Sequence, residues 1–220
     1  MENIVVIGSS GHAKVIIDII RQEGKYHLAG LVDQFRAIDE TTLGYGILGG
    51  EADLPGLVQR HALQGIIIAI GDNFTRAQVA AQVRMLYPEL RFVCAVHPKA
   101  SVAMGVSLGA GTVVMAGASI SACCSVGEFC ILNTNCSLDH DSTMEDFSSL
   151  APRTATGGSC RIGAYAAIGI GAVLTHGVEI GEHSVIGAAS LVRRSIPALV
   201  VAYGTPAQVI RRRSPGDKYL

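Results

Sequence analysis

The chain has almost no net charge: 17 Lys and Arg stand against 18 Asp and Glu, leaving −1. Nucleic acid and anionic membrane surfaces therefore lack an electrostatic footprint here, and the short cluster Arg211, Arg212, Arg213 is too small to supply one. The N-terminus "MENIVVIG" has no basic segment followed by an apolar one and a cleavage site, so the expectation is a mature, cytoplasmic chain. Charge is missing altogether from Ala100 to Gly127. By length alone that stretch could cross a bilayer. It is full of Gly and Ser, however, and its bulky residues recur at intervals instead of running on, so no membrane span is expected. The six cysteines (Cys94, Cys123, Cys124, Cys130, Cys136, Cys160) form no CxxC, and no His stands at zinc-finger spacing from them. Neither disulfides nor a metal are expected of them.

What is present is a period of six. Stepping by six from Val102 to Val192, fifteen of sixteen positions are bulky and aliphatic, Thr156 being the exception. The residue four places after each is small, as in Ala118, Cys124, Ser142 and Ala166, and Gly often follows the aliphatic residue directly, as at Gly109, Gly157 and Gly169. Neither an α-helix nor an ordinary strand has this period. A short flat strand followed by a turn does: one aliphatic and one small residue face inward, and three such units close a coil of about 18 residues. Cys124, Cys130, Cys136 and Cys160 fall on the small inward positions, where packing explains them.

The first ninety residues follow another rule. "NIVVIG", "LAGLVD", "GIIIAIG" and "RFVCAV" read as strands. "GHAKVIIDIIRQ", Glu51 to His61 and "NFTRAQVAAQVRML" read as helices, the last capped by Asp72 or Asn73. Alternating β and α predict a small Rossmann-like parallel sheet with helices on its faces. "HPKA" (His97 to Ala100) is the expected linker. The predicted domains are an α/β unit over 1–96, an all-β helical unit over 97–195 and a tail over 196–220. The turn "GSSGH" (Gly8 to His12) between strand and helix could hold a phosphate on backbone N–H groups, or serve chain reversal alone. Asp33 ends the second strand and could accept hydrogen bonds from a nucleoside. A dinucleotide oxidoreductase is poorly supported, because the full GxGxxG pattern is missing.

Five ionisable residues crowd into one stretch: Asp139, His140, Asp141, Glu145 and Asp146. They could be a solvated corner. His140, two residues after the ladder position Leu138, would stand at that corner facing outward. A His titrating near neutrality can remove an amine or hydroxyl proton, with Asp139 or Asp141 fixing its tautomer. Eighteen residues on, Gly158 would occupy the same corner of the next coil with an accessible N–H, a candidate oxyanion donor.

The hexapeptide ladder resembles that of the hexapeptide-repeat proteins, which implies a left-handed parallel β-helix. "GSSGH", "LVDQF", "IAIGDNFTR", "HPKASV", "ILNTNCSLDHD", "DFSSLAP" and "YGTPAQVI", in this order, extend the resemblance over nearly the whole chain. It is similar to the sugar O-acyltransferase family, which includes sialic acid O-acetyltransferases and nucleotide-amino-sugar N-acetyltransferases, with the bacillosamine-pathway (UDP-4-amino-sugar) enzymes as the nearest subgroup. The resemblance implies acetyl-CoA as co-substrate, a nucleotide-linked amino sugar as acceptor, and a homotrimer whose active sites lie between neighbouring β-helices. It also implies roles: His140 as general base with Asp141 as its partner, and Ser10, Gly11, His12, Asp33 and Gly71 against the nucleotide sugar. Ile170 and Ala188, with Ser149 and Gly158, would face acetyl-CoA. The sequence departs from the family at Ser149, where many members carry a second His after "DF".

Three rivals remain open. O-acetylation of sialic acid fits the same family. A γ-type carbonic-anhydrase-like metal protein would use the same β-helix, and His140 and His176 are 36 residues apart, two coils. A third His is needed five residues beyond His176, where Gly181 stands. A non-catalytic sugar-nucleotide binder would keep the ladder and the Gly turn but would not need His140 beside an acid.

Overall fold

The computed structural model describes residues 1–219. Strand β1 (Glu2–Ile7) is the centre of the N-terminal sheet, paired in parallel with β2 (Tyr26–Val32) on one side and β5 (Leu63–Ile68) on the other. Helix α1 (Gly11–Glu23) joins β1 to β2, buries Ile16, Ile17, Ile19 and Ile20, and ends on Gly24 in the left-handed conformation. Helix α2 (Leu54–His61) precedes β5, and α3 (Asn73–Leu86) follows it. The Asp72 carboxylate accepts from the Thr75 N–H at 2.8 Å and caps α3, as expected.

The sheet gains a hairpin that the sequence does not announce: β3 (Thr41–Thr42) and β4 (Tyr45–Gly49), with β4 parallel to β2. Its two turn residues, Leu43 and Gly44, both have positive φ, 51° and 83°. That is the requirement of a tight hairpin turn, but Leu-Gly is not its usual signature. "RFVCAV" also differs from expectation. It holds two strands in two different sheets: β6 (Arg91–Phe92) closes the N-terminal sheet against β5, while β7 (Ala95–Val96) pairs with the strand Val113–Val114. The ladder thus begins six residues before Val102.

From β8 (Ser101–Val102) to β23 (Leu191–Val192), sixteen two-residue strands recur every six residues. As far as Val173–Leu174, each pairs in parallel with the strand 18 residues on, as Val113 with Ile131 and Ser119 with Ser137. They stack into three flat faces of a left-handed parallel β-helix. The first face holds Ala95, Val113, Ile131, Ser149, Ala167 and Val185; the second Ser101, Ser119, Ser137, Ala155, Val173 and Leu191; the third Ser107, Ser125, Thr143, Arg161 and Glu179. Leu132, Leu138, Met144 and Leu150 are fully buried inside, alternating with Cys130, Cys136, Ser142 and Ser148. Burial raises the Cys130 and Cys136 thiols to about 11 and about 12, so they pack as inert thiols.

The corners explain the two kinds of residue found there. The second turn residue is left-handed at every corner from Gly105 to Ala189, and at ten of them it is not glycine, Asp141 (φ 58°) among them. The glycines directly after the aliphatic positions serve a different need. A Cβ on Gly157 would come within 2.7 Å of the His176 backbone, and one on Gly169 within 2.6 Å of the Ile186 carbonyl. Those glycines let one coil lie directly on the next.

Segment 196–219 continues the coil. Ile196 bridges to Ile180, β24 (Val200–Gly204) runs parallel to Val185–Ile186, and β25 (Ala207–Arg212) returns antiparallel to β24.

The two units share a core. Ile16, Ile17 and Ile20 of α1 pack with Ala95, Val113 and Ile131 of the first face. Beside them Arg76 of α3 is 1% exposed and makes no ion pair with a carboxylate among the described residues. Its guanidinium donates to the carbonyls of Phe129 (2.9 Å), Ile70 (2.9 Å), Gly71 (3.1 Å) and Phe147 (3.0 Å), and to the Asn73 side-chain oxygen at 2.7 Å. Asn73 in turn donates to the Ser149 hydroxyl and to the Ala166 carbonyl, both at 3.2 Å. Arg76 and Asn73 thus fasten α3 across three coils.

Candidate active site

Two groups of residues stand out, at opposite edges of the second face. The first is the corner between the second and third faces. Leu138 anchors it from inside, and Asp139 and His140 follow on the outside. Asp141 takes the left-handed turn position, which Asp tolerates better than most residues. The turn brings its carboxylate to 2.7 Å from His140 Nδ1. Asp139 accepts from the His140 backbone N–H at 2.9 Å. The bond to Asp141 and then the charge of Asp139 raise the His140 pKa above its ordinary value, against slight desolvation. The N–H of His140 and the Ser121 hydroxyl hold Asp139 below the usual carboxylate range. With Nδ1 committed to Asp141, Nε2 is the free nitrogen.

Gly158 lies directly beneath the ring. A Cβ there would stand 2.6 Å from both Cε1 and Nε2 of His140. The missing side chain therefore makes room for the imidazole. Gly158 gives its carbonyl to the Gly177 N–H, whereas its own N–H has no hydrogen-bond partner among the described residues. One coil further, the His176 ring lies 6.2 Å from that of His140, centroid to centroid. Among the described residues no group of three His, Cys, Asp or Glu is close enough to hold a metal ion, and Gly181 stands where the third His would be needed.

The second group lines a cavity of about 380 Å³ where the N-terminal unit meets the corner between the first and second faces. His12 and Gly71 come to it from the α/β unit, Ser149, Ile170 and Ala188 from the coils. Its walls are mostly apolar: Ile131, Ala151, Ala167, Ile168, Val185. The residues suit an extended, largely uncharged chain lying along the helix axis, because Pro152, Ile170 and Ala188 are one turn of the coil apart. His12 Nε2 is buried and has no hydrogen-bond partner among the described residues. Burial, and then the charge of Arg76, lower its pKa to about 4, so the ring is neutral and able to donate to or accept from a ligand.

Ser10, Gly11 and Asp33 sit at the C-terminal edge of the sheet, where Ser10 is the N-cap of α1 and makes no side-chain bond to it. Asp33 is partly engaged: the Ser9 hydroxyl donates to it at 2.5 Å and the Phe35 N–H at 3.0 Å. Sequence reasoning passed over Ser9, whose carbonyl also accepts from Thr42. It also passed over Asn133 and Tyr219 in the cavity wall. Ser9 stands within "GSSGH" and Asn133 within "ILNTNCSLDHD" without being singled out there, whereas Tyr219 falls in no motif and lies 70 residues from Ser149 along the chain.

Comparison with known proteins agrees with this division. The PglD N-terminal domain model matches residues 3–83, and the bacterial transferase hexapeptide (six repeats) model matches 159–194. A histidine-to-alanine variant of GDP-perosamine N-acetyltransferase from Caulobacter crescentus, solved with CoA and GDP-perosamine, is 34% identical with a TM-score of 0.90, over 96% of this chain and 98% of that one. The acetyltransferase domain of PglB from Neisseria gonorrhoeae, in complex with acetyl coenzyme A, is 27% identical with a TM-score of 0.87, over 95% and 99%. UDP-N-acetylbacillosamine N-acetyltransferase of Bacillus subtilis is 34% identical over 113 residues, 50% of each chain. The chain spans from 19% to 50% of the length of the curated relatives it matches. No helix among the described residues is long and apolar enough to cross a membrane. Matched end to end by an acetyltransferase at 34% identity, the chain belongs to the sugar acetyltransferase family built from a PglD-type N-terminal domain and hexapeptide repeats.

Proposed function

We propose that the chain transfers the acetyl group of acetyl-CoA to the amino group of a nucleotide-linked 4-amino-4,6-dideoxy sugar, in the cytoplasm, with His140 as general base. The observation that carries this reading is the 2.7 Å bond from Asp141 to His140 Nδ1, which leaves Nε2 free on an open corner. The amine attacks the thioester carbonyl, a C–N bond forms and the C–S bond breaks. His140 Nε2 takes the amine proton and returns one to the departing thiolate. Such base catalysis contributes about 10²–10⁴-fold. The Gly158 N–H is the candidate donor to the oxyanion. Ser10, Gly11, His12, Asp33 and Gly71 hold the nucleotide sugar. Ile170 and Ala188 face the acetyl-CoA chain, and Ser149 faces its thioester end. The names of the relatives, which specify N-acetylation of nucleotide-linked sugars, support the acceptor class.

One chain does not bring the two groups together, since they border opposite edges of the second face. That face carries small, uncharged residues (Ser119, Ser137, Ala155, Val173), whereas the third carries Arg161 and Glu179. A homotrimer packed on the second face would set His140 of one copy against the cavity of the next. His140 belongs to the coil that starts at Ile131, directly below Ser149, so the heights along the axis agree.

The test is thiol release from acetyl-CoA with a UDP-4-amino sugar, a GDP-4-amino sugar and free sialic acid. Turnover with one amino-sugar nucleotide is expected. Turnover with sialic acid alone would assign O-acetylation instead.

A further inference from the structure

The cavity has a polar end and an apolar end. At the polar end Gly71, Ser149 and Tyr219 are tied together. Tyr219 Oη accepts from the Asn73 backbone N–H at 3.1 Å, and Asn73 Nδ2 donates to the Ser149 hydroxyl. Arg76 holds the Gly71 carbonyl. His12, whose Nε2 has no partner among the described residues, lines the same cavity and feels the charge of Arg76. At the other end, one and two coils along, the walls are Gly169, Ile170, Gly187 and Ala188.

Tyr219 does not reach the cavity by chance. The segment after β25 folds back over the coil, held by Arg213, which is 8% exposed. The Arg213 guanidinium donates to the His183 carbonyl at 2.5 Å and to the Asp217 carbonyl, and lies 5.5 Å from the centre of the Tyr219 ring. Gly216 passes close to Phe74, where a Cβ would sit 3.1 Å from the ring. The strap is thus fixed to the coil at His183 and lies against α3 at Phe74 before it delivers Tyr219.

We propose that Tyr219 is the specificity-determining wall of the acyl site: its ring closes the cavity beyond the thioester, restricting the donor to a short acyl group, and its hydroxyl, with that of Ser149, orients the acyl carbonyl. This rests on the acyltransferase reading above. If the chain of the donor runs from Ala188 and Ile170 toward His12 and Gly71, where the acceptor enters, its acyl end arrives between Ser149 and Tyr219. Ser149 is a small side chain there, and Tyr219 fills the space beside it from a remote part of the sequence.

The experiment compares acetyl-, butyryl- and hexanoyl-CoA, by affinity in calorimetry and by thiol release, for wild type, Tyr219→Phe, Tyr219→Ala and Arg213→Ala. Tyr219→Ala should raise the preference for butyryl- over acetyl-CoA by about tenfold or more, the discrimination that a hydrophobic pocket can exert over a methylene or two. Arg213→Ala, which releases the strap, should move it the same way. Tyr219→Phe should keep the wild-type length profile, because the ring remains, and lower kcat about threefold to tenfold at nearly constant KM, as expected when one hydrogen bond to the reacting group is lost. A purely structural tyrosine would alter the melting temperature without changing the length profile. Wild-type binding of acetyl-CoA with unchanged profiles in all variants would overturn this inference alone. Failure of wild type to bind any acyl-CoA would overturn the acyltransferase reading and this inference with it.

Discussion

Two corners of the same β-helix have the same backbone and opposite uses. Between the third and first faces, the left-handed positions hold Phe129, Phe147, Tyr165 and His183, whose rings stack in sequence at 4.9, 5.2 and 4.4 Å. Phe92 meets Phe129 edge-on, and Phe74 leans on Tyr165 and His183. The N-terminal unit thus covers this column. Between the second and third faces, the left-handed positions hold Cys123, Asp141, Ser159 and Gly177, and nothing stacks along them. There the residue one place earlier carries the chemistry, in the column His140, Gly158, His176. A continuous ladder of rings makes an interface, whereas a ladder with a glycine gap leaves an imbalance that an imidazole can occupy. The coil backbone is indifferent to which is built.

The comparison can be broken most severely by filling the gap. Gly158→Val should lower turnover by about 10²–10³-fold, because the added Cβ displaces His140 from its place beside Asp141. Urea unfolding should change by less than about 1 kcal/mol, because the clash is with the exposed His140 ring, which can swing away. The mirror experiment is Phe147→Ala in the stacked column. It should cost about 2–4 kcal/mol in unfolding free energy, through lost ring contacts on two sides, with little change in kcat for the protein that remains folded.

A smaller effect sharpens the chemistry. Asp141→Asn should reduce kcat about tenfold to a hundredfold. It should also shift the acid limb of the pH–rate profile to lower pH, because Asp141 is the first cause of the raised His140 pKa. The direction follows from the base having to be neutral: with a raised pKa the wild type loses activity sooner as pH falls.

The smallest effect belongs to His12 on the cavity side. Its folded pKa of about 4 lies below the ordinary 6.5. Between those values the unfolded chain binds a proton that the folded chain refuses, so stability rises with pH across that window and is lost as pH falls through it. The contribution is on the order of 3 kcal/mol at most. His12→Asn should flatten stability between pH 4 and 6.5 in chemical denaturation, leaving the neutral-pH value within about 1 kcal/mol.

What the sequence disclosed, it disclosed through repetition. Leu132, Leu138 and Met144 must face inward every six residues, so the ladder is written in the order of residue types, and the corner position of His140 follows by counting. The period left Asp139 and Asp141 both open as its partner, and only the family resemblance pointed to Asp141. The hairpin at Leu43 and Gly44 was not, because its turn lacks the residues that normally mark one. Nor was the split of "RFVCAV", since Arg91–Phe92 and Ala95–Val96 are both short β-rich pairs and only the spacing of Val96 from Val102 separates them. Arg76 and Tyr219 act through hydrogen bonds to backbone groups and across long sequence separations. Such contacts leave no periodic trace.

The central claim is that His140, held by Asp141 over Gly158, is the base for acetyl transfer to an amino-sugar nucleotide. The measurement that tests it most directly is thiol release from acetyl-CoA with amino-sugar nucleotides, for wild type and His140→Ala. The account predicts turnover with one of them by wild type and a loss of about 10²–10⁴-fold in the variant, whose fold and acetyl-CoA affinity stay intact. Equal turnover by the two proteins would contradict it.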